Sequence, residues 1–407
     1  MSADPLVIPS DRDASGRSFG AEELANLEAV IRSGALNSNA GTWVRRFEGE
    51  FAASLGRAHA VAASSGSMAL QAAAAALGLA PGREVVTSPI TDFGAIAALL
   101  YEGLVPRFHD VDPETLAATP ATIEAAVEAG GDRVGAVVLT SLFGRPTEAE
   151  AVADRCRARG LPLIEDAAQS LGTLRGGRPI GGFGDLACFS FQQGKHIACG
   201  EGGAVVTDDP ALARRARLFV NKAWPYGEPD PDHASLAPNG RMTELQGAVL
   251  VAQLTRLPGL VERRRAAAET LLAELDGAPG LSWAPLADGD RCSYWRLHLV
   301  VDPGVLAGGP EGLAADLAGH GIPSQPHYVG KPAFMLGALR DRRLLGGTGY
   351  PIEDGTRVPP HEDPAAFPGC TAGLERALLL PWNEGIDEVL AAEIGRRLRA
   401  CAEGRAR

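Results

Sequence analysis

Only three lysines, Lys195, Lys222 and Lys331, stand among 38 basic residues. Lys195 closes the run Phe189-Ser190-Phe191-Gln192-Gln193-Gly194-Lys195, between two glycine-rich stretches and downstream of Ile164-Glu165-Asp166-Ala167-Ala168-Gln169. An amine held among apolar and glycine residues sheds its proton more readily than a solvated one. The neutral amine is then a nucleophile towards an aldehyde. A lysine of this kind, paired with a carboxylate placed earlier at a strand end, points to Schiff-base chemistry.

Three further segments could serve that chemistry. Ser65-Gly66-Ser67-Met68 puts hydroxyls and glycine at a helix start, where exposed amides and the helix dipole favour a phosphate. The same residues also read as an ordinary serine cap. Asp166 either caps the next segment or holds the proton on a ring nitrogen, which would let the ring draw electrons from bonds nearby. Ser190 lies five residues before Lys195, in reach of a phosphate that the amine's partner carries. Asn239-Gly240-Arg241-Met242 precedes a capped helix and reads equally as a plain helix entry. Gly176-Gly177 and Gly181-Gly182-Phe183-Gly184 lack the strand-then-helix context of a dinucleotide loop and read as turns. The eight histidines show no ligand spacing. His196 points away from Lys195 if the segment is extended, and so supports structure rather than touching substrate.

These segments need a scaffold, and the totals supply one. A chain of 407 residues that is 45% hydrophobic can bury a large core and divide into two domains. A net charge of −12 argues against nucleic acid as a partner. The six cysteines have no paired short spacing, which suits a reducing cytoplasm and no metal. The first residues lack a basic and apolar leader, and no apolar run is long enough for a bilayer.

Strand and helix patterns alternate along the first 250 residues. Helix is predicted over 21–33, strand over 59–63, then an alanine-rich helix ending near Gly78. Strand 84–87 precedes helix 93–101, and the β-branched run 134–140 reads as a buried strand. Thr147 and Glu150 form a predicted capping box for a helix ending at Gly160, and 161–165 is again a strand, with Asp166 at its end. Gly200 to Thr207 is a turn into a strand. Thr243 to Gln246 is a second capping box, opening a long helix that bends near Pro258. Beyond it come a strand over 294–301, a helix over 310–319 and a Gly/Pro-rich stretch over 346–369. Such alternation means an α/β fold with a mostly parallel sheet, whose ligands lie beyond the carboxyl ends of the strands. We divide the chain into 1–254, an arm and the large domain, and 255–407, a smaller C-terminal α/β domain.

Taken in order, these segments resemble the pyridoxal-phosphate-dependent sugar and aminocyclitol aminotransferases of fold type I (DegT/StrS type), from about Ser33 to Trp382. The resemblance is carried by Ser65-Gly66-Ser67, Phe143-Gly144-Arg145-Pro146, Ile164 to Gln169, Gly184-Asp185, Ser190 to Lys195, Gly200 to Gly203 and Arg241 to Gln246. It implies a large, mostly parallel seven-stranded-type sheet domain and pyridoxal 5'-phosphate as cofactor. It also implies Lys195 as the Schiff-base lysine, Asp166 as partner of the ring nitrogen and Gln169 beside the ring. Ser67 and Ser190, with the backbone after Ser65 and Gly66, would hold the phosphate. Asn239 would reach it from a neighbouring subunit, in a homodimer with shared active sites. The implied activity moves an amino group from glutamate or glutamine to a ketosugar or ketocyclitol. Arg241, Lys222, Lys331 and His327 are candidate substrate contacts.

The chain departs from that pattern in two places. Asp92 falls where the family has an aromatic ring, leaving Phe93 to cover the cofactor, and Gly240 replaces an aromatic residue. Gln192-Gln193-Gly194 is more like the cyclitol-acting branch. A sugar dehydratase is the first alternative, but relatives that dehydrate carry histidine where this chain has Lys195. A silent, cofactor-binding regulatory protein is the second, against which stands the intact Asp166/Lys195 pair. A nicotinamide oxidoreductase would need a glycine fingerprint that is missing.

Overall fold

Val134–Thr140 is buried along its whole length, as a strand is when helices cover both faces of its sheet. The computed structural model describes residues 4–233, 235–353 and 362–407. In chain order the first part holds α1 (Ala21–Ser33), α2 (Trp43–Ser54), β1 (His59–Ala63), α3 (Gly66–Leu77), β2 (Glu84–Thr87), α4 (Phe93–Tyr101), β3 (Val105–Phe108), α5 (Pro120–Gly130), β4 (Val134–Thr140), α6 (Ala149–Ala158) and β5 (Leu163–Asp166). A small hairpin follows, β6 (Leu174–Arg175) and β7 (Arg178–Pro179), then β8 (Leu186–Ser190), β9 (Gly203–Thr207), α7 (Pro210–Val220) and α8 (Glu244–Glu274). The remainder comprises β10 (Leu281–Ser282), β11 (Arg296–Val301), α9 (Gly309–Gly319), β12 (Gln325–Pro326), α10 (Gly337–Arg340), α11 (Pro368–Arg376), β13 (Ala377–Pro381) and α12 (Glu388–Arg405).

The main sheet has seven strands in the order β1-β9-β8-β5-β4-β2-β3. β9 runs antiparallel to both its neighbours, and the other pairings are parallel. Six strands therefore point the same way. Their carboxyl ends deliver Ser65, Asp92, Phe143, Asp166 and Ser190 to one edge. A second sheet, β10-β11-β13-β12, forms the smaller α/β unit, whose core surrounds Trp382.

The large-unit core takes residues of α8 as far as Leu260, and the small-unit core takes those from Ala267. The boundary drawn at 255 thus falls inside one helix, which continues across Pro258. Leu6 and Ile8 of the arm pack against the small core rather than the large one. α8 begins at the expected capping box, with Thr243 accepting from the Gln246 amide and Gln246 bonding the Thr243 amide at 2.8 Å.

The other capping box does not form. α6 starts at Ala149 after an uncapped Glu148, while the Thr147 hydroxyl meets Ser141 Oγ at 3.2 Å. Thr147 is buried, and a bond within its own loop displaces the cap. The strand expected over 294–301 begins at Arg296, because Tyr294 has a positive φ of 47°. The periodicity reading does not mark α2, β3, α5, β8 or α7 in the large unit, nor α11, β13 and the 18-residue α12 in the small one. Of the Gly/Pro-rich stretch, 354–361 lies outside the described residues.

Candidate active site

The site begins at the helix start after β1. Ser65 caps α3, its hydroxyl accepting from the Met68 amide at 3.1 Å. This bears out the plain cap, and among the described residues it leaves the amides of Gly66 and Ser67 without a protein acceptor. Ser190, at the end of β8, crowds this turn. A Cβ on Gly66 would lie 2.8 Å from Ser190 Cβ and 3.1 Å from its hydroxyl. A methylene on Gly94 would meet Ser67 Oγ and come within 2.8 Å of Asp92 Oδ1. Ser67, Ser190 and open amides thus form a cradle of donors shaped for a phosphate.

Asp166 ends β5 and is 5% exposed. Its carboxylate accepts from the Ala168 amide at 3.2 Å. Burial raises its pKa to about 6; the Ala168 amide and Lys195 pull it back, and Asp92 pushes it further up. Glu165, the preceding residue, points to the opposite face. There it accepts from Gly181, Phe183 and Gly184 amides at 2.8, 2.7 and 2.6 Å. The glycine runs that read as turns are turns; Glu165 fastens the 181–184 run, while Asp290 and the Gly289 carbonyl accept from the Gly176 and Gly177 amides.

Lys195 is half-buried in a loop tied down by Gln192, whose carbonyl takes the Lys195 amide at 2.8 Å. Burial depresses its pKa to about 8, Arg296 lowers it further, and Asp166 and Asp92 act upwards. The amine nitrogen lies 4.3 Å from the centre of the Trp295 ring. Trp295 in turn donates its indole N–H to the Gly194 carbonyl at 2.7 Å. Lys195 and Asp166 feel each other's charge, yet among the described residues they form no ion pair within hydrogen-bonding reach.

Gln169 is buried and held on both sides. Its carbonyl oxygen accepts from the Phe143 amide at 3.0 Å and its amide donates to the Tyr328 hydroxyl at 2.8 Å. Phe143 and Gly144 both have positive φ, 61° and 80°. A side chain on Gly144 would strike the Tyr294 and Trp295 amides at 2.6 and 2.7 Å. This tight turn lets Phe143 O accept from the Trp295 amide at 2.9 Å, bringing the small unit's tryptophan to the lysine. Arg296, bonded to Asp11 at 2.8 Å, lies with its guanidinium carbon 4.6 Å from the same indole.

Trp295, Arg296 and Tyr328 were not singled out from sequence. In the sequence Trp295 and Arg296 read only as the start of an alternating strand, and Tyr328 adjoins His327, the residue whose chemistry suggests a substrate contact. His327 turns both ring nitrogens to Leu374 O and Glu311, at 2.9 and 2.8 Å, within the small unit. Phe93 is half-buried against the cluster of Ile90, Ile96 and Leu100, which joins the two units. His196 is buried, its Nε2 3.2 Å from the Ser293 carbonyl, in the supporting role expected of it. Asn239 is exposed, and Gly240 O receives the Ser64 amide at 2.7 Å. Arg241 reaches Asn221 Oδ1 at 3.5 Å. Lys222 and Lys331 are exposed.

A sequence model of the DegT/DnrJ/EryC1/StrS aminotransferase family matches residues 17–350. The chain belongs to this family. It is 31% identical over 337 residues to GDP-perosamine synthase of Vibrio cholerae, covering 83% of this chain and 89% of that one. It is 34% identical over 326 residues to dTDP-3-amino-3,4,6-trideoxy-alpha-D-glucose transaminase of Streptomyces venezuelae, covering 80% and 82%. Among solved structures, S. venezuelae DesV in complex with a ketimine intermediate superposes with a TM-score of 0.81 at 29% identity, covering 94% of each chain. The protein is a pyridoxal-phosphate-dependent aminotransferase of the α/β fold expected. The residues present suit that cofactor: the open amides of the α3 start with Ser67 and Ser190 would take its phosphate, and the buried Asp166 carboxylate would pair with its ring nitrogen. No helix among the described residues is long and apolar enough to cross a membrane.

Proposed function

We propose that this aminotransferase carries nitrogen from glutamate or glutamine to a ketosugar or ketocyclitol, in sugar or secondary-metabolite biosynthesis. The observation that carries the reading is the convergence of the buried Asp166, the loop holding Lys195 and the Ser65–Ser67 helix start crowded by Ser190 at the carboxyl ends of the strands. Pyridoxal phosphate supplies an aldehyde that captures amines and a ring that takes up an electron pair. Lys195 would hold that aldehyde, and its free amine is the group that would move a proton to and from the donor's α-carbon. Asp166 holds the ring nitrogen protonated, which a buried carboxylate does well because it has few other partners. Gln169, fixed by Phe143 and Tyr328, orients beside the ring, and the helix start with Ser67 and Ser190 anchors the phosphate.

Because donor and acceptor use one site in turn, the kinetics are ping-pong. We assign Asn239, exposed on the 239–241 loop, to the phosphate of a neighbouring subunit, which makes the working unit a homodimer. Arg241, Lys222 and Lys331 are assigned to the acceptor's polar groups. His327 is left with the small unit, where both its nitrogens are occupied. The compartment is the cytoplasm. The test is optical: the loaded protein should be yellow, glutamate or glutamine should bleach it, and one of a panel of ketosugars and inososes should restore the colour. A loaded protein that no amino acid bleaches would sink the reading.

A further inference from the structure

Asp11 lies in the N-terminal arm, well before the first strand, and is 8% exposed. Its carboxylate Oδ2 accepts from Arg296 Nη1 at 2.8 Å, and its backbone carbonyl accepts from Gln193 Nε2 at 3.0 Å. One residue thus holds both the arginine beside the Trp295 indole and the loop that carries Lys195. The two side chains close over Gly194, the residue before the lysine. A Cβ on Gly194 would lie 3.5 Å from Asp11 Oδ2 and 3.8 Å from Arg296 Nη2. Among the described residues, the only other acceptor for Arg296 Nη1 is the Trp295 carbonyl, at 3.4 Å. The arm itself is seated on the small unit. Asn383 Nδ2 donates to the Pro9 carbonyl at 2.7 Å, and the Leu6 amide donates to the His320 carbonyl at 2.8 Å. Asp11 is therefore delivered to one place.

We infer that Asp11 is a positioning residue: from the arm it holds the Arg296 guanidinium against Trp295, on the ring that the Lys195 amine also faces. This rests on the assignment of Lys195 above and deepens it. A long arginine side chain without an ion-pair partner has many rotamers open to it and turns to water. A charge-assisted bond to a buried carboxylate selects one. Arg17, from the same arm, is buried and repels the second guanidinium, so that without the Asp11 carboxylate Arg296 leaves. Held in place, the Arg296 charge disfavours the ammonium form of Lys195 and keeps a neutral amine at hand. Asp166 from β5 and Asp92 from the start of α4 act on that amine in the opposite direction. The arm is thus part of the active site, through a residue that touches neither cofactor nor substrate.

The experiment follows capture of pyridoxal phosphate by the full-length protein stripped of cofactor, read as growth of the visible band at a series of pH values. Only the neutral amine attacks the aldehyde, so the rate rises with pH through the midpoint of Lys195. Asp11→Ala should move that midpoint upwards by about half a pH unit or more, because the cation departs. Asp11→Asn keeps an acceptor for Arg296 and should not move it upwards. In Arg296→Leu the midpoint is already high, and adding Asp11→Ala should raise it no further. A crystal structure of Asp11→Ala should show the guanidinium off the indole, a result that does not depend on how a looser arm alters the rates. A midpoint that Asp11→Ala leaves unchanged or lowers, an equal upward shift in the Arg296→Leu background, or an Arg296 still stacked on Trp295 would each overturn the positioning role alone. Undiminished capture by Lys195→Ala would bring down the lysine assignment, and this inference with it.

Discussion

The Lys195 amine nitrogen lies 4.3 Å from the centre of the Trp295 ring, and the Arg296 guanidinium carbon lies 4.6 Å from the same ring. Two cations share one indole, one of them poised to act as a nucleophile. The ring offers its face to positive charge, while burial and the second cation press the lysine to give its proton up.

This arrangement sets a pH dependence. The lysine pKa is held down to about 8, with burial the first cause and Arg296 acting the same way. Removing the guanidinium in Arg296→Leu should move the midpoint upwards, because a neighbouring cation disfavours the charged amine. Aldehyde capture by the cofactor-free protein, measured against pH, should show wild type half-active near that value and the variant shifted to higher pH. An unshifted or lower midpoint would show that the guanidinium does not act on the amine.

Asp166 carries a stability signature of opposite sign to that of most carboxylates. Its pKa is raised from 3.8 to about 6, so the native state prefers the protonated form. The associated stability is present below pH 3.8 and is lost as pH rises through 6. In the cofactor-free protein, Asp166→Asn should therefore be more stable than wild type by roughly 2–3 kcal/mol at neutral pH, with the difference shrinking towards pH 4. Urea titrations at the two pH values would read this directly. The same variant should bind pyridoxal phosphate yet transfer nitrogen far more slowly.

The cradle can be probed by filling it. Gly66→Ala would place a methyl 2.8 Å from Ser190 Cβ, which requires β8 and the helix start to part by several tenths of an ångström. Cofactor affinity should fall about tenfold or more, a loss of one or two hydrogen bonds to the phosphate. Thermal stability of the cofactor-free protein should drop far less. Equilibrium dialysis and a melting curve together separate the two effects.

Glu165 should matter to the fold more than to the chemistry. It is fully buried and satisfies three amides of the 181–184 turns. Glu165→Ala leaves those amides without an acceptor, and a cost of about 3–5 kcal/mol is expected from chemical denaturation. Retained stability would mean that the turns hold themselves.

Much of this protein is determined locally and so is legible in its sequence. The run ending in Lys195, the Ile164 to Gln169 segment and the Ser65 turn each join a hydrophobic strand to a polar tip. Strand direction in an alternating fold then sends every tip to the same edge. β1, α3, β2, α4 and β4 follow from short-range periodicity and appear where it predicts. The capping box at Thr243 is written in four adjacent residues, and it forms.

What the tertiary structure decided is which side chains arrive from far away. The Thr147 box lost to Ser141, six residues earlier, as the loop after β4 turns back on itself against the core. Trp295 and Arg296 reach the lysine because the Phe143-Gly144 turn binds the Ser293 and Trp295 amides, across about 150 residues of chain, and Tyr328 comes to Gln169 from farther still. No local pattern marks them, since a tryptophan at a strand start looks the same whether it faces a core or a catalytic amine. His327 shows the converse: it has suitable chemistry near the site in the chain, and contacts inside the small unit, with Leu374 O and Glu311, occupy both its nitrogens.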